Sequence, residues 1–349
     1  MLDVIRRETA IIARGCVILR VVQQAKPDGT VPLVSVIIPA YRAAQSIAAT
    51  LDSVLAQTFQ DFEVIVVNDG SPDRKELEKV LGPYRDRIIY LSQENQGPAG
   101  ARNTGIQIAR GEYVALLDAD DLWDPEHLQA QLAVLGADPS IDMVYADARI
   151  IGDVPEQGRT VMELCPSEGA ITFERLVMRQ CTVHICVSVA RRKTLLDAGL
   201  FDPEFRGTED IDMWLRIVRR GGRIAYQRRV LGRYRRQRGS LSSDPVRMIE
   251  GFLAVLAKAA RDPHTTAAQQ DAIARQCLVQ RTNLALQKGK QAFLAGDTEG
   301  AISHLTEANA HYRSVRLALV LMLLRVAPHF LQTLYHWRHR HIYKLKTQS

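Results

Sequence analysis

The sequence predicts an α/β fold with a mostly parallel central sheet, followed by an all-helical C-terminal region. Three observations carry that expectation. Short, continuously apolar runs alternate with helix-patterned segments between residues 33 and 120, and unbroken hydrophobicity marks strands covered on both faces. Each run ends in polar, loop-forming residues, as strands do when their carboxyl ends open on a binding crevice. From about residue 245 only helical periodicity remains. The expected division is an N-terminal helical segment and linker over 1–30, an α/β domain over 31–244 and a helical region over 245–349.

The elements follow in order. "MLDVIRRETAIIARGCVILRVV" is a poor signal peptide, because acids come early and arginines interrupt its apolar run. A breaker-rich linker, "QQAKPDGTVP" (23–32), precedes the first strand, "LVSVIIP" (33–39). "AAQSIAATLDSVLAQ" has helical spacing, with Ile47, Leu51, Val54 and Leu55 on one face. "FEVIVVND" (62–69), "RIIYLSQ" (87–93) and "GEYVALLDAD" (111–120) are the next strands, and "GPAGARNTGIQIA" reads as a loop feeding a helix. Further on, "MVYADARIIGD" (143–153) and "TVHICVSVARR" (182–192) read as strands. "TEDIDMWLRIVRRGG" (208–222) reads as a helix capped by Thr208, with acids in its first turn, arginines in its last and glycines to stop it. "GKQAFLAGDTEGAISHLTEAN" (289–309) looks like one tetratricopeptide-type hairpin, with Gly289, Ala301, Leu305 and Ala308 at its small and apolar positions.

Composition narrows the function classes. At 349 residues and 46% hydrophobic, the chain can bury a sizeable core. Its net charge of +6 is unevenly placed: residues 216–238 hold ten arginines and no acid. Such a block suits a phosphate-rich ligand or anionic surface, or else a solvated basic face; no nucleic-acid partner is expected. The five cysteines form no CxxC pair, which speaks against a disulfide framework or zinc site and for a reducing cytoplasm. "LALVLMLL" (317–324) is flanked by Arg316 and Arg325 and falls short of the roughly 20 apolar residues of a membrane span. That stretch and residues 4–22 suit peripheral contact with a membrane, packing on the chain's own core, or homo-oligomerisation. The basic, aromatic end "HWRHRHIYKLK" (336–346) extends the first of these readings.

The chemistry concentrates in "LLDADDLW" (116–123), where Asp118, Asp120 and Asp121 follow an apolar run. Buried carboxylates repel unless a cation compensates. Asp118 and Asp120 can share Mg²⁺ or Mn²⁺ with substrate phosphates. Alone, a D-x-D triplet carries little information; its company gives it weight.

"VSVIIPAYRAAQSIAATLDSVLAQTFQDFEVIVVNDGSPD", then "NQGPAGARNTGIQIARGEYVALLDADD", then "GTEDIDMWLRIVRRGG" closely resembles the family 2 glycosyltransferases of GT-A fold, over about residues 33–242. The resemblance implies a nucleotide-sugar donor, commonly a UDP-sugar, a divalent metal, and a glycan, lipid-linked or other hydroxyl acceptor in cell-surface polysaccharide biosynthesis. It places Pro39, Ala40 and Tyr41 around base and ribose, Asp69 with Gly70 at the base, and Arg102 near the nucleotide, with Gly100 and Asn103 shaping its loop. Asp118 would contact ribose or sugar, Ala119 would lie between, and Asp120 would hold the metal, with Asp118 as a second ligand. Asp210 would be the general base. Glu209, Trp214, Arg235 and Ser240 are further candidates for substrate contact, although Gln237 stands where many members have histidine. His184 reads as a core histidine, and Trp123 and Trp214 read as packing residues, either of which could line the acceptor cleft.

Physical chemistry supports that assignment. Charge develops on a leaving diphosphate, which a metal and arginines stabilise. One carboxylate suffices to take the acceptor proton, so single displacement with inversion follows. A sugar-phosphate nucleotidyltransferase would show a glycine-rich loop with a lysine near the first strand, and "PAYRAAQS" has neither. A dinucleotide oxidoreductase would need G-x-G-x-x-G there. A non-catalytic sugar-nucleotide-binding module would tolerate loss of Asp120 or Asp210, and both are present.

Overall fold

The computed structural model describes residues 30–331, 333 and 334, apart from 238, 241 and 242. The N-terminal helical segment expected over 1–30 lies almost wholly outside the described residues, and the basic end at 336–346 lies wholly outside them. The chain divides into two compact units, the first running to Ser243 and including Arg261–Pro263, the second formed by Asp244–Ala260 and the residues from His264 onward.

In the first unit, strands β1 (Val34–Ala40), β2 (Phe62–Asp69), β3 (Ile89–Gln93) and β4 (Tyr113–Leu116) alternate with helices α1 (Ile47–Leu55), α2 (Arg74–Val80) and α3 (Gly97–Ile108). There follow β5 (Leu122–Trp123), α4 (His127–Ala137), β6 (Met143–Ile151), α5 (Val161–Leu164), α6 (Phe173–Val177), β7 (Ser188–Arg191), α7 (Arg192–Asp197), α8 (Glu209–Arg219) and β8 (Ile224–Arg235). The sheet order is β3-β2-β1-β4-β7-β6-β8-β5. It is parallel across β3-β2-β1-β4, as the alternation predicts, but β7 runs antiparallel to both β4 and β6, so the sheet as a whole is mixed. Val34, Val36, Ile37 and Ile38 are fully buried, as expected of a strand covered on both faces.

Two local expectations are corrected. The run 182–192 yields a strand only from Ser188, after a 3₁₀ turn at Ile185–Val187. Side chains take the carbonyls that a longer ladder would use: Trp123 Nε1 donates to Cys186 O (2.7 Å) and Gln131 Nε2 to Val187 O (2.8 Å). Thr208 precedes α8 but makes no side-chain cap, and its buried hydroxyl has no partner among the described residues. Glu209 ties down this entry instead, its Oε2 accepting from Gly207 N at 2.6 Å.

The second unit holds α9 (Pro245–Arg261), α10 (Ala267–Leu294), α11 (Thr298–Tyr312) and α12 (Val315–Val326). Helices α10 and α11 pack as a hairpin. A Cβ on Gly289 would meet Leu305 at 2.7 Å, so the glycine permits that close approach. Asp297 caps α11 by accepting from Gly300 N, and a small core forms around Ala301, Leu305, Leu321 and Leu324.

Candidate functional site

The site forms where β1, β2 and β4 end. After Leu117 N bonds Ile37 O (3.2 Å), residues 118–121 leave the sheet in a turn closed by Asp121 N on Asp118 O (3.1 Å). Two polar residues of helix α1, with Gln57 just past its end, position this loop. Thr50 Oγ1 donates to Ala119 O (3.0 Å), Ser53 Oγ accepts from Trp123 N (3.2 Å), and Gln57 Nε2 donates to Asp124 O (2.8 Å). Sequence reading missed these residues, although polar side chains at i, i+3 and i+7 beside an apolar helix face are a signal that could have found them. On the other side, Asp121 Oδ1 accepts from Arg235 N (2.7 Å) and Arg235 Nε donates to Asp120 O (2.8 Å), tying the end of β8 to the acidic turn.

Arg102, on α3, lies between two carboxylates. Its guanidinium donates to Asp118 Oδ1 (2.6 Å) and Glu209 Oε1 (2.7 Å), and its ring neighbour is Phe201, 5.8 Å away. Burial alone would lower its pKa, but the two carboxylates outweigh that and hold it above the ordinary arginine value. Arg102 therefore joins the acidic turn to the start of α8. Its charge is already spent on two acids, so it orders the site with no ligand needed.

The remaining acids are undercompensated. Burial and then Asp118 push the Asp120 carboxyl up to about 6. Buried Asp121 is driven far above the usual carboxylate range by burial and by its two acidic neighbours. Asp210, partly exposed at the first turn of α8, is pushed up to about 7 by burial and by Glu209. Among the described residues no group of three or more His, Cys, Asp or Glu could hold a metal alone. The donor set nevertheless fits a hard cation: carboxylate oxygens, Asp118 about a third exposed, and an excess of negative charge that a divalent ion bridged to phosphates would relieve.

At the neighbouring strand ends, Asp69 Oδ1 accepts from Gln93 Nε2 and Gln96 N, both at 2.8 Å. Burial raises the Asp69 pKa against those bonds, the Gly97 N–H and the charge of Arg206. Gly70 turns the chain with φ +63, and a Cβ there would stand 2.7 Å from Asn95 N. Pro39 and Ala40 close β1, and Tyr41 projects with 47% of its surface exposed. Arg206 is a further residue missed in the sequence; its Nε lies 3.5 Å from where a Gly97 Cβ would be. No motif announced it, because only folding brings the loop before α8 over the start of α3. Asn103 anchors that same loop, its side chain bonding both N and O of Phe201.

Other candidates fall outside this arrangement. Trp214 is 1% exposed and packs edge-on against Phe201, as a packing residue does. Trp123 stacks on His127, and His184 packs against Tyr234, held neutral by burial with its pKa at about 4. Ser240 sits in a turn beyond β8, its N–H on Gln237 O. The arginine block does not form one free basic face. Arg216, Arg219, Arg223, Arg229, Arg233 and Arg236 each pair with an acid of the same unit.

Known proteins share this architecture. The profile of glycosyl transferase family 2 matches residues 35–192. The Escherichia coli UDP-Glc:alpha-D-GlcNAc-diphosphoundecaprenol beta-1,3-glucosyltransferase WfgD is 32% identical over 233 residues, 66% of this chain and 88% of that protein. TarS of S. aureus, solved with UDP-GlcNAc, superposes with a TM-score of 0.59 at 19% identity, over 80% of this chain and 92% of that one. Mannosyltransferase PcManGT of Pyrobaculum calidifontis, solved with GDP-Man and Mn2+, gives 0.58 at 22% identity over 87% and 84%. The fold is thus of GT-A type. The chain spans between 29% and 59% of the length of the first curated relatives it matches.

Proposed function

The chain belongs to glycosyl transferase family 2, and from that premise we propose that it moves a sugar from a UDP-sugar to a hydroxyl of a lipid-linked glycan, with inversion. The observation that supports this reading best is the charge arrangement at the strand ends. One buried arginine joins Asp118 to Glu209, and beside it Asp120 and Asp210 are pushed up to about 6 and 7. The names of relatives add to it: WfgD is named for a UDP-glucose donor and a diphosphoundecaprenol acceptor, and TarS was solved with UDP-GlcNAc.

Asp69 accepts a hydrogen bond from the base, with Gly70 keeping the rim low and Pro39, Ala40 and Tyr41 walling base and ribose. Asp118 orients the ribose or sugar while Arg102 fixes its rotamer. Asp120, with Asp118, would hold Mg²⁺ or Mn²⁺, which when bound neutralises charge developing on the leaving diphosphate. Asp210 takes the acceptor proton; a carboxylate whose pKa lies near the working pH is partly ionised and still basic enough to accept it. No covalent nucleophile is required, so configuration inverts.

Transfer from a panel of UDP- and GDP-sugars to a lipid diphosphate acceptor tests the reading, with and without excess chelator. Transfer that needs a UDP-sugar, the lipid acceptor and free divalent ion is the expected outcome. Full activity in excess chelator removes the metal from the proposal, and transfer to water-soluble glycans alone removes the lipid acceptor.

A further inference from the structure

Helix α12 is apolar on two opposite sides, and among the described residues only one of them is packed. Leu321 and Leu324 are buried, and Leu317 and Val320 pack with them against the α10–α11 hairpin. The opposite side carries Val315, Leu319, Met322 and Val326, exposed at 75, 52, 54 and 79%. At roughly 100° per residue these four fall within an arc of about 60°. Phe330 and Leu334, just beyond the helix, are exposed too. Six of the thirteen exposed large hydrophobic side chains among the described residues thus fall between 315 and 334. Contiguous exposed apolar surface of this kind marks an interaction site.

Charge says what covers it. Arg316 and Arg325 are exposed and lie about 90° to either side of the stripe, so that each flank carries a cation. From Ala308 to Ser349 the sequence has seven Arg and Lys and no Asp or Glu. A second copy of the chain would bring the same cations against these, and like charges across an interface oppose association. An anionic lipid surface complements both features, taking the apolar stripe into the acyl boundary and the arginines at the headgroups. Among the described residues no helix is long and apolar enough to cross a membrane, so the contact is lateral.

We propose that α12 docks the protein in the plane of an anionic bilayer through Val315, Leu319, Met322 and Val326, with Arg316 and Arg325 on phosphate headgroups. The inference does not depend on the donor or acceptor assigned above, because its test reads binding and not turnover.

The test is co-sedimentation of the full chain with phosphatidylglycerol–phosphatidylcholine vesicles and with phosphatidylcholine alone, at low and high salt. Expected is binding to the anionic vesicles that weakens with salt. Leu319→Ser with Met322→Ser should lower the partition coefficient on the order of 10²-fold, since both side chains lose their burial in the acyl layer. Because both positions are exposed, far-UV circular dichroism should be unchanged. Arg316→Gln with Arg325→Gln keeps the apolar stripe and should lower partitioning onto anionic vesicles by about 10- to 30-fold. No binding at low salt overturns the proposal. So does binding that neither double variant alters, which would place the contact elsewhere on the chain. A dimer in solution that the serine variant dissociates, with no vesicle binding, assigns the stripe to a second copy instead.

Discussion

The two ends of the parallel strands each carry a buried carboxylate–arginine cluster, and only one of them is satisfied. At the amino ends, Glu63 Oε1 accepts from Ser35 Oγ (2.6 Å) and Arg110 N (2.8 Å), and Oε2 from Arg110 Nε (2.9 Å). Gly111 N donates to Ser35 Oγ at 2.9 Å, and a Cβ on Gly111 would come within 2.6 Å of Ser35 N. One acid meets one arginine, and the backbone closes tightly over both. At the carboxyl ends, the described residues set only Arg102 and Arg235 against Asp118, Asp120, Asp121, Glu209 and Asp210, and three of these acids have raised pKa values. The same residue types close a satisfied cluster at one end and leave an excess of negative charge at the other, where the proposed metal and diphosphate would sit. Stoichiometry and closure separate the two roles, not residue identity.

The largest effect should come from removing the proposed base. Asp210→Asn keeps the shape and should reduce transfer by roughly 10² to 10⁴ while donor binding survives. The wild-type rate at subsaturating acceptor should rise with pH through about 7, where the Asp210 carboxyl ionises. Stability moves the other way. The folded-state pKa lies above the ordinary 3.8, so the folded chain holds this proton more tightly than the unfolded one. Its contribution to stability therefore falls as pH rises from about 4 to about 7 and stays low above that. Asp210→Asn should accordingly melt higher than wild type at pH 8 and show no such gain at pH 4. A variant that melts lower at pH 8 would show a structural role like that of Glu63.

Breaking each cluster at its arginine or acid sharpens the contrast. Arg102→Met leaves Asp118 and Glu209 without their shared cation, and losing one partner of a buried ion pair costs about 3–5 kcal/mol. Both Tm and activity should drop. Glu63→Gln keeps most hydrogen-bond geometry and should cost about 1–3 kcal/mol in urea melts. Its kcat per folded molecule should match wild type. Equal loss of kcat in both variants would mean that the two strand ends are coupled.

Much of this contrast was legible in the sequence. The runs at 33–39 and 62–69 fall within a residue of β1 and β2, because strands buried on both faces leave an unbroken apolar signature. Asp69, Asp118, Asp120, Glu209 and Asp210 stand at or just past strand ends or at a helix start, positions that local pattern specifies, and Arg102, midway along α3, joins Asp118 to Glu209. What escaped was nonlocal. Nothing in "TVHICVSVARR" shows that Trp123 and Gln131 will occupy its carbonyls, and nothing in the arginine block names Asp124, Glu126, Asp138 or Glu156 as partners. Nor does the sequence show that Trp214 will pack edge-on against Phe201, which precedes α8 and lies outside any helix.

The smallest effect separates Arg206 from the buried sets. It is exposed, it lies beside Gly97 at the start of α3, and its charge helps hold down the pKa of Asp69. Nothing in the core depends on it, so Arg206→Ala should leave Tm nearly unchanged, as is usual for surface substitutions. If Arg206 works on the bound nucleotide, donor KM should rise about three- to tenfold with kcat retained, the signature of lost uniform binding. The effect should grow toward acid pH. Without the guanidinium the Asp69 pKa rises further, so the carboxyl is protonated at a higher pH and would sooner lose its proposed role as acceptor from the base. Titrating UDP affinity between pH 5 and 8 in both proteins measures this directly. A constant ratio across the range would mean that Arg206 contacts the nucleotide itself and does not act through Asp69. A fall in kcat at saturating donor would place it instead on the leaving diphosphate.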